Sequence, residues 1–342
     1  MNYIKLLHTA DIHLKKLNDD IYETFTKIIS LIKREEIEYL LIPGDLFDDL
    51  APEDKLVDKV IELFEYINPC KVLISPGNHD PLTFGSPYLT KNWPRNVYIF
   101  KEALSSITFN NIRFYGRAFT GHFEETPLLP RINIDNNYIN ILVMHGDVSS
   151  TSQYNPISLN LLKEIGFDYC ALGHIHKPIL NNIYTYPGIP EGRGFDEVGT
   201  LGVVLVSISD RVKTEFIPIN TNSYIIKEID ISNLRNIDTI AHRINEECSK
   251  STDYYRVILK GRVEFTPDTK LLTSLLSPYY SYIEILDETI KNIDFEKLKK
   301  ENSLKGIFVR HMLDKISKTP ENKVLEDSLL LGVKAFDEDI EV

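Results

Sequence analysis

Tyr39-Leu40-Leu41-Ile42-Pro43-Gly44-Asp45-Leu46-Phe47-Asp48 is a run of four apolar residues, a Pro-Gly break, and two acids three residues apart. A short apolar run without polar alternation predicts a strand buried on both faces, as in a parallel sheet. The Pro-Gly pair ends it in a turn, so Asp45 falls just past the carboxyl end of the strand. The same order recurs on both sides. Upstream, a strand at Ile4–His8 runs into Asp11-Ile12-His13. Downstream, Lys71–Ser75 runs into Pro76-Gly77-Asn78-His79-Asp80, Ile139–Met144 into His145-Gly146-Asp147, and Tyr169–Leu172 into Gly173-His174-Ile175-His176. Between the first three strands, Ile21, Phe25, Ile28, Ile29 and Ile32 predict a helix over about 20–36. Leu56, Val60, Leu63, Phe64 and Ile67 predict another over about 52–67, with Pro52 in its first turn. Alternating strands and helices predict an α/β fold. Ligands of such sheets gather at the carboxyl ends of strands, so the five polar clusters are expected to converge on one edge.

The side chains in those clusters are metal and phosphate chemistry. Five of the nine histidines lie there: His13, His79, His145, His174 and His176. Asp11 and His13 are two residues apart, and in an extended segment both would point the same way and could grip one metal. Asp45, at its sharp turn, could bridge two cations about 3.5–4 Å apart, the spacing used in two-metal hydrolysis. Asp48 reads as a helix cap or as an orienting partner for a histidine. The Asn78 amide oxygen is a hard ligand that adds no charge, and a neighbouring His79 outside the ligand set could protonate a leaving oxygen. His145 adds one imidazole, and His174 and His176 could serve one metal each. Every one of these residues also has a bland reading as a turn former, a cap or a paired core histidine. Order, spacing and strand context agree in all five clusters, and that agreement decides for a site. Oxygen and imidazole donors without a thiolate suit manganese, iron, zinc or magnesium.

Together, Asp-x-His, Gly-Asp-x-x-Asp, Gly-Asn-His-Asp, His-Gly and Gly-His-x-His resemble the calcineurin-like metallophosphoesterase superfamily. His8-Thr9-Ala10-Asp11-Ile12-His13-Leu14, Gly44-Asp45-Leu46-Phe47-Asp48, Ser75-Pro76-Gly77-Asn78-His79-Asp80 and Tyr186-Pro187-Gly188 look like the SbcD-type DNA repair exonucleases. Glu191-Gly192-Arg193-Gly194-Phe195-Asp196-Glu197 looks like the YhaO-like branch. The resemblance covers about residues 1–220 and implies a layered α/β/β/α sandwich with a smaller α+β capping domain and a helical C-terminal tail. It implies two divalent metals, with manganese expected. Asp11, His13, Asp45 and His176 would hold one and Asp45, Asn78, His145 and His174 the other, while His79 would assist the leaving oxygen. Many SbcD-type enzymes carry His where this chain has Asp48, and here Asp48 is expected to orient His79. Arg117 and Arg193, with Arg131 and Lys177, are candidates for a substrate groove.

The expected domains are 1–219 (nuclease), 220–290 (capping) and 291–342 (helical, partner-docking). The boundary falls at Pro218-Ile219-Asn220-Thr221-Asn222. The last segment carries a stripe of Leu304, Phe308, Met312 and Ile316, either a docking helix for a partner or a helix packed on its own domain. No Gly-rich P-loop is present, so ATP use would need a separate protein, and the family suggests an SbcC-like coiled-coil ATPase. The faces of the first two helices are candidates for a homodimer contact or for ordinary sheet packing. The net charge of −12 over 342 residues lacks the basic footprint of a nucleic-acid binder, so DNA binding would lean on metal or on a basic partner. The acidic tail Phe336-Asp337-Glu338-Asp339-Ile340-Glu341-Val342 accounts for part of that charge. Three scattered cysteines (Cys70, Cys170, Cys248) and an N-terminus without a signal-peptide pattern predict a reduced, cytoplasmic protein, and no apolar run is long enough to span a membrane.

Overall fold

A computed structural model of the protein describes residues 4–149, 151–209, 211–249, 251–319 and 322–336. The acidic tail beyond Phe336 lies outside the described residues. The chain runs β1 (Ile4–His8), α1 (Asp20–Arg34), β2 (Tyr39–Ile42), α2 (Asp54–Tyr66), β3 (Lys71–Ile74), one turn α3 (Pro87–Thr90), β4 (Val97–Ile99), β5 (Ser105–Phe109) and β6 (Ile112–Arg117). It continues through β7 (Ile139–His145), α4 (Leu159–Ile165), β8 (Tyr169–Gly173), β9 (Ile179–Leu180), β10 (Thr185–Tyr186), β11 (Gly202–Ile208) and β12 (Val212–Pro218). These strands form two six-stranded sheets of matching design. One has the order β12-β11-β1-β2-β3-β4 and the other β5-β6-β7-β8-β10-β9. Four consecutive strands are parallel in each: β1 to β4 in the first, and β6, β7, β8 and β10 in the second.

Alternation along the strands builds the layers. Leu6, Tyr39, Leu41 and Leu73 from the first sheet meet Ile112, Phe114, Ile141, Val143 and Ala171 from the second in one buried cluster. Their neighbours Leu7, Leu40, Ile42 and Val72 face the other way, onto Phe25, Ile28 and Ile32 of α1 and Val60 and Phe64 of α2. Leu142, Met144 and Leu172 meet Leu162 and Ile165 of α4 on the outer face of the second sheet. The result is an α/β/β/α sandwich in which both faces of each sheet are apolar, as parallel strands require. The apolar faces of α1 and α2 are thus spent on their own sheet. Pro52 precedes α2, whose cap is Glu53, and does not enter its first turn.

Two compact units result. The first comprises Met1–Ile226, Lys250–Arg256 and Ser277–Ile283, and the second Lys227–Ser249, Val257–Leu276 and Glu284–Val342. The later elements are β13 (Tyr224–Asp230), α5 (Ile237–Glu247), β14 (Tyr254–Lys260), β15 (Arg262–Val263), α6 (Thr269–Leu276), β16 (Tyr282–Asp287), β17 (Ile290–Lys291), α7 (Phe295–Leu298), α8 (Leu304–Lys318) and α9 (Lys323–Ala335). The order β13-β14-β16 makes a three-stranded sheet. α8 and α9 form a hairpin around Val309, Met312, Leu329 and Val333, joined by Phe308 and Ile316. Of the predicted α8 stripe, Met312 is buried and Phe308 and Ile316 are half-buried in this cluster, while Leu304 stays 75% exposed.

Candidate metal centre

The loops after β1, β2, β3, β7 and β8 meet because their backbones are laced together. Thr9 N–H donates to Leu41 O, Asp11 N–H to Gly44 O and His13 N–H to Asp45 O, while Gly146 N–H donates to Gly173 O. The lacing imposes an uncommon backbone. Asp11, His13 and Asp45 have φ of 50°, 55° and 53°, and His174 has 107°. Left-handed backbone at a non-glycine costs of order 1 kcal/mol and persists only where the surroundings enforce it. Asp11 and His13 therefore do not converge through an extended segment, as their spacing suggests. β1 ends at His8, and each side chain is aimed by its own left-handed residue. Gly44, at φ +95°, admits the approach of the second sheet: a Cβ there would lie 2.2 Å from His145 Nδ1. A Cβ on Gly77 would lie equally close to Asp45 Oδ1.

Asp11, His13 and His176 offer ligand atoms within 4.8 Å of one another, as do Asp11, Asp45 and His145, and His13, Asp48 and His79. Asp45 Oδ2 lies 3.8 Å from His13 Nε2 and 3.6 Å from His145 Nε2. Asn78 Oδ1 is 2.7 Å from His145 Nε2. The His174 ring stands 5.2 Å from that of His145. Thus all seven predicted ligands reach one locality in the first unit. Asp11, His13, Asp45, Asn78 and His145 are at most 3% exposed.

The donor chemistry of that pocket fits cations. His145 Nδ1 is 3.0 Å from the Pro43 carbonyl, which can only accept, so Nδ1 carries the proton and Nε2 presents a bare lone pair. That lone pair faces another acceptor, Asn78 Oδ1, and the Asp45 carboxylate. Burial lowers the His145 pKa well below its usual value, so a second ring proton cannot fill the gap. Both ring nitrogens of His13 are buried, with Nδ1 3.1 Å from Asp48 Oδ1 and Nε2 3.8 Å from Asp45 Oδ2, so the ring is surrounded by carboxylates. Burial pushes the carboxyls of Asp11, Asp45 and Asp80 up and pushes His13 and His174 each down to about 4. Carboxyls and neutral imidazoles converge in a dry site, and a divalent ion there would offset the burial of the carboxylates and bind the imidazoles in the neutral form they already hold.

The groups that hold this site are the least visible in the sequence. Asp80, 2% exposed, accepts from the backbone N–H of Asp45, Phe47 and Gly77 and from the Tyr88 hydroxyl. Its place in the Gly-Asn-His-Asp motif marks it, but nothing in the motif says that it binds backbone. Asn155 donates to His145 O and accepts from Leu128 N–H, bracing the turn at Gly146. Burial by itself would lower the His176 pKa, but Glu197, 2.7 Å from Nδ1, and the nearby Asp11 carboxylate together raise it. Twenty-one residues separate the pair, and no sequence spacing announces it.

Asp48 has neighbours other than His79. Its carboxylate lies nearest to Lys15 and His13, at 2.9 and 3.1 Å, and the proximity of His13 holds its pKa well below the usual range. His79 reaches it chiefly through the backbone: His79 Nδ1 is 3.3 Å from Asp48 O and 3.7 Å from Oδ1. Arg193 stands at the rim, 3.6 Å from Asp48 Oδ1 and 2.6 Å from Glu197 Oε1. Arg117 donates to Leu128 O, Arg131 pairs with Glu164, and Lys177 is exposed.

Residues 4–178 match the calcineurin-like phosphoesterase family. The chain belongs to that family. It is accordingly a phosphoester hydrolase, of a family whose chemistry runs on divalent metals. The chain is 26% identical over 296 residues to the metallophosphoesterase YhaO of Bacillus subtilis, an alignment that covers 75% of this chain and 72% of the relative. It is 23% identical over 372 residues to an SbcCD nuclease subunit of Staphylococcus epidermidis, covering 94% and 97%. The corresponding nuclease subunit of Staphylococcus saprophyticus is 24% identical over 386 residues, covering 97% and 100%. Among the described residues, no helix is long and apolar enough to cross a membrane.

Proposed function

We propose that this phosphoesterase is the DNA-cutting component of a nuclease complex and works with two divalent cations, manganese being the expected metal. Asp11, His13, Asp45 and His176 hold one cation; Asp45, Asn78, His145 and His174 hold the other. The observation that carries this reading is the single atom Asp45 Oδ2, poised between an imidazole of the first sheet's loops and one of the second's, at 3.8 and 3.6 Å. A carboxylate so placed is suited to bridging. When bound, the cations supply Lewis-acid stabilisation of the phosphoryl oxygens and lower the pKa of an attacking water.

The chain's own groups do the rest. His79 Nδ1 lies 3.3 Å from the Asp48 carbonyl, so Nε2 is the atom turned toward a leaving oxygen, and donation from it would require the ring to carry a proton on both nitrogens. Arg193 adds positive charge that both Asp11 and Asp45 feel, and it is the residue offered to the phosphate. DNA as substrate is supported by the two SbcCD nuclease relatives, which align over nearly their whole length. The same relatives support a complex with an SbcC-like coiled-coil ATPase. The apolar residues that the C-terminal hairpin leaves exposed, Leu304, Ile307, Val324 and Leu331, offer it a docking surface. Three buried cysteines that form no disulfide suit the cytoplasm.

The test offers the purified chain, loaded with manganese, single-stranded DNA, duplex DNA and bis-p-nitrophenyl phosphate. Cleavage of DNA is expected. Asp45→Asn is expected to lower it by about 10³-fold, the several kcal/mol that metal stabilisation supplies, and to lower the bound metal measured by mass spectrometry. Hydrolysis of the small ester alone favours a nucleotide-sized substrate, which the net charge of −12 would suit. Inactivity on every substrate at full metal occupancy leaves a scaffold protein.

A further inference from the structure

Beside the metal centre, five aromatic rings form an arc whose two ends are site histidines. The His79 ring is 5.8 Å from His122, His122 is 4.8 Å from Phe123, Phe123 is 5.5 Å from Tyr154, and Tyr154 is 4.7 Å from His174. The middle of the arc faces solvent, with Phe123 53% exposed. A ring that served only the core would be covered, and this one is held half bare.

Its position is fixed without help from the ring itself. Glu124 N–H donates to Gln153 O, and Asn155 N–H donates to Glu124 O, pairing the two segments that carry Phe123 and Tyr154. The Glu124 carboxylate accepts from the Thr120 N–H and hydroxyl, closing the loop on itself. His122 Nδ1 donates to the Asn78 carbonyl at 3.0 Å, which ties the arc to a candidate ligand loop. The platform is therefore pre-ordered, and a flat ligand would lose little freedom of the protein on docking.

We propose that this arc is the stacking platform for the nucleobase adjacent to the scissile phosphodiester, a specificity element of the nuclease reading above and dependent on it. The argument is one of reach and chemistry. Tyr154 touches His174, and Phe123 stands one ring further out, just as a base stands one sugar away from its phosphate. The exposed part is an apolar π-face, which every base can stack on, so the platform is indifferent to sequence. It requires that the base be out of a duplex, because a paired and stacked base keeps its faces covered. A single-stranded or frayed end is thus the substrate form that fits.

The test uses the manganese-loaded full chain and a single-stranded oligonucleotide of fixed sequence, intact or with a tetrahydrofuran abasic nucleotide on either side of the cut. For the native protein, the abasic nucleotide on the platform side is expected to lower kcat/KM about tenfold, mostly through KM. Phe123→Ala is expected to bring the two substrates to within about twofold of each other, and Phe123→Trp to restore the difference, with metal content equal in all three proteins. Equal cleavage of intact and abasic substrates by the native protein overturns the platform while leaving the nuclease reading intact. So does a full tenfold difference retained by Phe123→Ala. If the native protein cuts none of the oligonucleotides, the nuclease reading itself falls and takes the platform with it.

Discussion

The floor of the centre and its rim are built by different means. On the floor, the carboxylates of Asp11, Asp45 and Asp80 are held by backbone N–H groups: His174 for Asp11, His79 for Asp45, and three donors for Asp80. At the rim, Lys15, Asp48, Arg193, Glu197 and His176 hold one another chiefly through side chains, at 2.9, 3.6, 2.6 and 2.7 Å in that order. A backbone donor cannot leave without unmaking the turn that carries it, whereas a side-chain pair at a wet edge can re-pair when a phosphate arrives. The floor is thus fixed in advance, and the rim is where substrate can change the structure.

The largest test of that distinction is Asp80→Ala. It strands the N–H groups of Asp45, Phe47 and Gly77 and the Tyr88 hydroxyl in a site only 2% exposed. Each buried donor left without a partner costs about 1–3 kcal/mol, so a loss of at least about 3 kcal/mol in urea unfolding is expected. Asp48→Ala, at the rim, is expected to cost less, because its closest partner, Lys15, is exposed and can turn to water. Equal losses for the two would erase the distinction.

The second test asks whether dryness extends below the floor. His8 is wholly buried in β1, with Nε2 3.2 Å from the Leu172 carbonyl and Nδ1 2.8 Å from the Tyr169 hydroxyl. The carbonyl only accepts, so Nε2 carries the proton and Nδ1 accepts from Tyr169 in a neutral ring. Burial lowers its pKa to about 3, against the ordinary 6.5. Between those values the unfolded chain binds a proton that the folded chain refuses, so the stability is full above about pH 6.5 and falls as the pH drops toward 3. Between pH 6 and 4.5 this amounts to about 2 kcal/mol. His8→Leu should show an acid limb shallower by that amount in denaturant titrations, whatever its absolute stability. An unchanged limb would show that His8 titrates normally in the fold.

The same contrast explains what can be read from the sequence. Floor residues are legible because each sits one turn past an apolar run, and Pro43-Gly44 and Pro76-Gly77 mark where those runs stop. The layers follow from period: Phe25, Ile28 and Ile32 at helical spacing, and Leu40 and Ile42 against Tyr39 and Leu41 at strand spacing. What fails to show depends on partners far along the chain. Asp11 and His13 read as extended, and only their pairing with Gly44 and Asp45 makes them left-handed. Arg117 reads as a substrate group because it lies near the active edge in sequence, and its guanidinium is turned to Leu128 O by a loop that no local pattern predicts.

The smallest expected effect bears on the rim itself. Glu197 orients His176 by accepting from Nδ1, which leaves Nε2 for a cation. Partners that orient a ligating imidazole typically account for 10–100-fold in metal affinity. Glu197→Gln keeps an oxygen that can accept but removes the charge, so the low end is expected: about tenfold weaker binding at one of two sites by manganese calorimetry. The other site should be untouched, because its donors Asp45, Asn78 and His145 are buried on the floor and hold no contact with Glu197. Weakening confined to one site would make the rim an adjustable support for a single metal. Equal weakening of both would mean that floor and rim move together, and the contrast between a fixed base and a re-pairing edge would have to be abandoned.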